Sequence, residues 1–309
     1  MNRKILASIL GILMVFSLCV PAMADGNEQV MFEMQDPAGD DYGPGTYTYP
    51  TNIAFSPGRG HYDLINFKVF QDDDYVFFDF EFTLLDNTWQ ADEGFSHQLI
   101  DLYIDTGEEG GRTDAFNVGP NVSFSPEHPW NVYIRVAPWK SSLFHACKTP
   151  ETTTADVRPN FSVERVPSTN IIRAMVDKKL IGDVDASWNY YVLVGSYDGY
   201  GLDCYRPVEK EAGAWVFGGG SGDGKSPNVI DILAEESGKY SQHNQLTKSS
   251  SGDPQAFAEL FPVNSGANGS SGSKRGLIMI FGAVAVVGAG AVLVKMRSRS
   301  RKRSENSDF

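Results

Sequence analysis

Tyr75-Val76-Phe77-Phe78-Asp79-Phe80-Glu81-Phe82-Thr83-Leu84 is the stretch whose reading decides the fold. Side chains alternate across an extended chain, so Val76, Phe78, Phe80, Phe82 and Leu84 share one face while Asp79, Glu81 and Thr83 share the other. A period of two in apolar and aromatic residues predicts a half-buried strand. The same alternation appears in Ile100, Leu102 and Ile104 against Asp101, Tyr103 and Asp105. It recurs in Val132, Ile134 and Val136 against Tyr133 and Arg135. Further strands are predicted over residues 64–70, 161–166, 171–176 and 190–195. One short helix is expected over residues 230–236, a run of good helix formers after Ser226-Pro227-Asn228. Long amphipathic helical stretches are missing, and Gly, Pro, Asn and Asp clusters punctuate the chain at short intervals. The expected class is all-β, an antiparallel sandwich rather than an α/β fold.

Outside this region the chain carries two apolar runs of different kinds. Asn2-Arg3-Lys4, the run over residues 5–20 and Pro21-Ala22-Met23-Ala24 predict a secretory signal peptide over residues 1–24, cut after Ala24. Cys19 would leave with it, because the bulky Leu18 in front does not suit lipid attachment. Residues 276–294 are uncharged and long enough to cross about 30 Å of hydrocarbon as one helix. A basic cluster follows over residues 295–303, against only Lys274 and Arg275 before the run. The positive-inside rule then places a tail of residues 295–309 in the cytoplasm and the preceding domain outside the cell. Residues 265–275 are Gly/Ser-rich and read as a flexible stalk. A single extracellular domain over residues 25–264, anchored once in the cell membrane, is the expected organisation.

The full chain holds 26 Lys plus Arg against 39 Asp plus Glu, a net charge of −13. Over residues 25–273 the imbalance deepens to 37 acids against 16 bases, a net −21. Nucleic acid is therefore a poor partner, whereas a carboxylate-rich surface suits solubility and divalent cations. Cys147 and Cys204 remain after processing. In an oxidising compartment such a pair is expected to be bridged, although spacing does not show that the sulfurs meet. Sequons starting at Asn121, Asn160 and Asn268 are compatible with exposure outside the cell.

Two constellations carry candidate binding chemistry. Asp36-Pro37-Ala38-Gly39-Asp40-Asp41-Tyr42-Gly43-Pro44-Gly45 crowds three carboxylates on one turn-forming segment, which suits either Ca²⁺ or a solvated Asx-type turn. Asp72-Asp73-Asp74, between two strands, reads as an ordinary turn. Trp89, Trp130, Trp139, Trp188 and Trp215 supply aromatic surface beyond the alternating core positions, for burial or for stacking on the flat C–H faces of sugars. Catalytic machinery is not evident: no nucleophile elbow or Cys/His arrangement stands out, and His61, His97, His128, His145 and His243 are scattered without zinc spacing. Gly218-Gly219-Gly220-Ser221-Gly222-Asp223-Gly224-Lys225 lacks phosphate-loop spacing.

Several blocks together resemble the C-terminal binding module of glucodextranase, a module also appended to pullulanase- and amylase-like enzymes. They are DPAGDDYGPGTYTYP at residues 36–50, GFSHQ at 94–98 running into DLYID at 101–105, and VGSYDGYG at 194–201. Arg206-Pro207-Val208, WVFGG at 215–219 and NVIDIL at 228–233 complete the set. The resemblance covers roughly residues 32–263. It implies a jelly-roll-like β-sandwich similar to family-nine carbohydrate-binding modules, non-catalytic, with structural calcium and a sugar ligand. Carried onto this sequence, it points to Asp36, Asp40 and Asp41 as metal ligands and to Asp198 as a further ligand or loop-holding group; Trp89 and Trp139, which sit by Asn or Pro in expected loops, are the candidate sugar platforms. The expected partner is a polysaccharide or envelope glycan. The alternative is a structural or redox envelope protein of the same fold, with haem held by Met34 or Met175 and His97.

Overall fold

A computed structural model describes residues 28–146, 154–155, 160–247 and 257–264, all within one compact unit. The expected signal peptide, stalk, membrane helix and tail lie outside the described residues. No described helix is long and apolar enough to cross a membrane.

The first sheet is antiparallel. In spatial order it contains β1 (Gln29–Gln35), β2 (Leu64–Gln71), β3 (Tyr75–Phe82), β10 (Ile171–Asp177) and β9 (Phe161–Arg165). The second runs β12 (Val229–Ile232), β11 (Asn189–Ser196), β4 (Gln98–Asp105), β6 (Val132–Val136), β7 (Ser142–His145) and β8 (Thr154–Ala155). A short parallel pair, β5 (Val122–Phe124) and β13 (Ala258–Leu260), forms a separate layer. Helices are confined to single turns, including α1 (Lys178–Ile181) and α2 (Gln242–Leu246). The sandwich expected from the alternating segments is present.

The β2–β3 hairpin shows why the opening stretch is a strand. Asp72 Oδ1 accepts the backbone N–H of Asp74 at 2.8 Å and of Tyr75 at 2.6 Å, so the three aspartates make an Asx turn. Beyond it Val76, Phe78, Phe80 and Phe82 point into the core with Phe67 and Val69, facing Ile100, Leu102, Ile134 and Val192 of the second sheet. On the outer face Asp79 is nevertheless buried, because Arg173 across the β3–β10 pair grips it through two N–H donors at 2.6 and 2.7 Å. The same guanidinium lies 5.0 Å from the Phe70 ring, which stacks on Phe77.

Two readings are corrected here. Residues 230–236 are not a helix, because Val229–Ile232 pairs with β11 as the edge strand of the second sheet. Good helix formers give way when cross-strand pairing buries all four side chains. The alternation in β4 does not mark a solvent face either. Every residue of the strand is buried, because β5 and β13 cover the second sheet, packing Phe124 and Leu260 with Tyr103, Tyr133, Tyr191 and Leu193.

Asp101, fully buried on that covered face, receives two guanidinium donors from Arg135 at 2.9 and 3.0 Å. The hydroxyls of Tyr133 and Tyr205 also donate to it, each at 2.8 Å. A buried carboxylate persists only when paired and hydrogen-bonded in this way. Gly195 makes room for it: a Cβ there would lie 2.4 Å from the Tyr205 ring.

Candidate functional site

At the end of the second sheet where β4 begins and β6 and β11 finish, the connecting loops converge on an aromatic pocket of about 430 Å³. Trp89 comes from the β3–β4 connection, Trp139 from the β6–β7 turn, and Tyr197, Asp198, Gly199 and Tyr200 from the segment after β11. Trp215 and Arg206 complete the lining. Trp139 is 40% exposed, Trp215 47%, and Tyr200 stands fully in solvent. Large apolar rings left uncovered around a concavity mark a binding surface rather than core.

The pocket's frame is rigid because Arg206 is its buried hub. Nε donates to Ser196 Oγ at 3.0 Å, and one terminal nitrogen donates to Asp198 Oδ2 at 3.1 Å and to the Trp215 carbonyl at 2.7 Å. The other donates to the Tyr197 carbonyl at 2.9 Å. The guanidinium also faces the rings of Phe55 at 5.0 Å and Trp215 at 6.0 Å. Trp139 leans on Tyr197 at 5.0 Å between centroids, and Phe55 meets Trp89 and Trp215 edge to face. Aromatic walls over a fixed Arg–Asp pair offer C–H stacking together with polar atoms for hydroxyl groups. A larger concavity of about 590 Å³, lined by Glu33, Gln35, Asp36 and Glu81 among others, has no aromatic wall.

The second constellation is a buried acidic cluster. Oxygens of Asp36, Asp40 and Asp231 lie within 4.8 Å of one another. Asp36 follows β1 and accepts the Ala234 N–H at 2.8 Å through Oδ1. Asp231, in β12, accepts the Leu64 N–H at 2.8 Å through Oδ2. Asp40 is placed by the turn at Gly39, whose φ of +85° suits glycine and whose N–H donates to Asp63 at 2.8 Å. One oxygen of each, Asp36 Oδ2, Asp40 Oδ1 and Asp231 Oδ1, is buried without a hydrogen-bond partner. Burial, then the neighbouring Asp63, pushes Asp40 up to about 7. Asp36 and Asp231 are raised well above the carboxylate range, first by burial and next by Asp40 and Asp36 respectively. Orphaned oxygen donors converging in this way fit a hard divalent cation such as Ca²⁺.

The structure sorts the predicted residues. Trp89 and Trp139 line one pocket, and Asp36 and Asp40 share one cluster. Asp41 sits apart: its Oδ2 accepts the Gly60 N–H at 2.6 Å and the Tyr49 hydroxyl, tying two loops together. Asp198 belongs to the aromatic pocket, where Arg206 neutralises it. Cys204 carries a free thiol against Tyr197, and Cys147 lies outside the described residues. The haem arrangement does not fit. Rings of His61, Trp89, Phe55 and Tyr62 surround His97, and its Nε2 faces Asp86 and Thr88. Met175 meanwhile alternates onto the outer face of the first sheet. Sequence reasoning missed Asp231, hidden in the segment read as helix, and did not assign Arg206 or Trp215, although both stand in family-like blocks.

The chain belongs to the family described as the C-terminal binding-module, SLH-like, of glucodextranase, which matches residues 31–261. No curated protein matches the chain.

Proposed function

We propose that this domain binds a carbohydrate without transforming it, seating the sugar among Trp89, Trp139 and Trp215 over the Arg206–Asp198 pair. The observation that carries the reading is three tryptophans from three separate loops brought around one rigid, partly polar floor. Membership of a binding-module family supports a non-catalytic role. In the same reading Ca²⁺ is structural and bound by Asp36, Asp40 and Asp231, neutralising carboxylates that otherwise repel one another. Residues 276–294 hold the domain at the outer face of a cell membrane, where a polysaccharide or envelope glycan is the partner.

The test is titration calorimetry of the domain with α-glucans and envelope polysaccharides, in calcium and in EGTA, with a Trp139→Ala variant in parallel. Binding of at least one glycan class is expected, weakened tenfold or more by the substitution, which matches about 1.4 kcal/mol or more for an anchoring aromatic. Because Trp139 is half in solvent, its removal leaves the far-ultraviolet circular dichroism unchanged. Silence across all polymers in both conditions refutes the reading.

A further inference from the structure

Beneath the aromatic pocket lies a cluster that sugar binding does not use. His61 and His97, 36 positions apart in sequence, are both fully buried and stack at 4.3 Å between ring centroids. Asp86 reaches between them from the β3–β4 connection, with Oδ2 3.6 Å from His61 Nδ1 and Oδ1 3.1 Å from His97 Nε2. One ligand atom from each of the three residues falls within 4.8 Å of the other two. The absence of zinc spacing along the sequence thus gives way to a metal-like arrangement in space.

The hydrogen bonds around His61 fix what it can do. Its Nε2 lies 3.0 Å from the Ser56 carbonyl oxygen, which only accepts, so Nε2 carries the proton. In the neutral ring the lone pair is then on Nδ1, buried, without a hydrogen-bond partner, and aimed at a carboxylate. A lone pair facing an anion at 3.6 Å repels it, and a cation between the two turns the repulsion into ligation. An imidazole whose far N–H is held by a backbone carbonyl is the usual arrangement of a metal-bound histidine. His97 Nε2 faces the acceptor-only Asp86 carboxylate at 3.1 Å and so carries a proton, which metal binding would release to solvent. Two imidazole nitrogens and one carboxylate oxygen then select a borderline divalent ion over Ca²⁺ or Mg²⁺. Asp86 is 37% exposed on its side chain, which gives an ion a route in and leaves room for a water ligand.

We propose that His61, Asp86 and His97 form a binding site for a divalent transition-metal ion of the Zn²⁺ class, distinct from the acidic cluster. The ion ties the segment bearing His61 to the β3–β4 connection. Trp89, whose ring lies 4.5 Å from His97 and whose backbone N–H donates to Ser96 Oγ at 3.1 Å, rides on that connection. Metal binding therefore braces one wall of the pocket. The site stands on its own donors and does not depend on the sugar reading.

The experiment uses Co²⁺ as a spectroscopic probe, with Zn²⁺ competition, on the domain saturated with Ca²⁺. One Co²⁺ per chain is expected to give the intense visible absorption of a low-coordinate nitrogen and oxygen site, bleached by one equivalent of Zn²⁺. Asp86→Asn, chosen because Asp86 is part-exposed and the fold should tolerate it, is expected to weaken binding at least tenfold, and His97→Gln to abolish the band. Asp36→Asn is expected to retain the band, which separates this site from the acidic cluster. No cobalt band in the wild-type domain overturns the proposal, as does a band unchanged in Asp86→Asn.

Discussion

Replacing Asp231 by Asn tests the acidic cluster by the sign of its effect. In the calcium-free protein at pH 8, two full charges no more than 4.8 Å apart repel by at least about 3.5 kcal/mol at an effective dielectric constant of about 20. Asp231 takes part in two of the three such pairs. Proton uptake relieves part of this, since Asp40 titrates at about 7, so the gain from removing one charge is of the order of 2 kcal/mol. Asn retains an oxygen to accept the Leu64 N–H and supplies an amide donor to the orphaned oxygens. For a domain of this size about 2 kcal/mol corresponds to roughly 4–8 °C in Tm. Asp231→Asn is thus expected to melt higher than wild type in EGTA.

Calcium reverses the comparison. A 100-fold excess over Kd stabilises the wild type by about 2.7 kcal/mol, or roughly 5–10 °C. The variant, short of one anionic ligand, is expected to gain almost nothing. Scanning calorimetry of both proteins in EGTA and in CaCl₂ reads all four states, and calorimetric titration with Ca²⁺ reads the affinity directly. An equal calcium-induced rise in both proteins would refute the assignment of Asp231 as a ligand.

The same cluster sets a pH dependence in the calcium-free protein. Its raised carboxyls keep protons that the unfolded chain has released, so their contribution is most favourable at low pH and declines until pH passes about 7, where Asp40 titrates. The Tm advantage of Asp231→Asn in EGTA should therefore widen from pH 5 to pH 8, as a calorimetric series at stepped pH would show. At the covered face of the second sheet, Arg135→Met leaves Asp101 with only two tyrosine hydroxyls. The expected loss, read from urea denaturation, is about 3–5 kcal/mol; a loss under about 1 kcal/mol would mean that the pair is not needed to hold the buried charge.

Strands with strict alternation could be read directly from sequence: β2, β3, β9, β10 and β11 fall within a residue or two of their expected bounds. Failure came where burial does not follow local pattern. Asp101 looks solvent-facing until β13, over 150 residues away, closes a layer above it. Asp231 looks helical because its neighbours favour helix, while its environment is set by pairing with β11 and by the Leu64 N–H at the start of β2. Trp89 and Trp139 were legible as loop aromatics, since both stand beside turn-forming residues. Their meeting with Trp215 and Arg206 depends on which strand ends share an edge, information carried only by register. His61 and His97 illustrate the same limit: their stacking follows from chain topology, and no spacing rule expresses it.

The connection between β1 and β2, residues 36–63, touches the acidic cluster, the frame of the aromatic pocket and the histidine pair. Asp36 and Asp40 enter the acidic cluster, Asp41 binds Tyr49 and Gly60, Phe55 lies under Arg206, and His61 stacks on His97. Mechanically this one length of chain is a splint laid across the end of the sandwich, fastened at each station by a different kind of bond. Ions bound at the two proposed sites would both act on this single strap, which also carries Phe55 beneath the aromatic pocket.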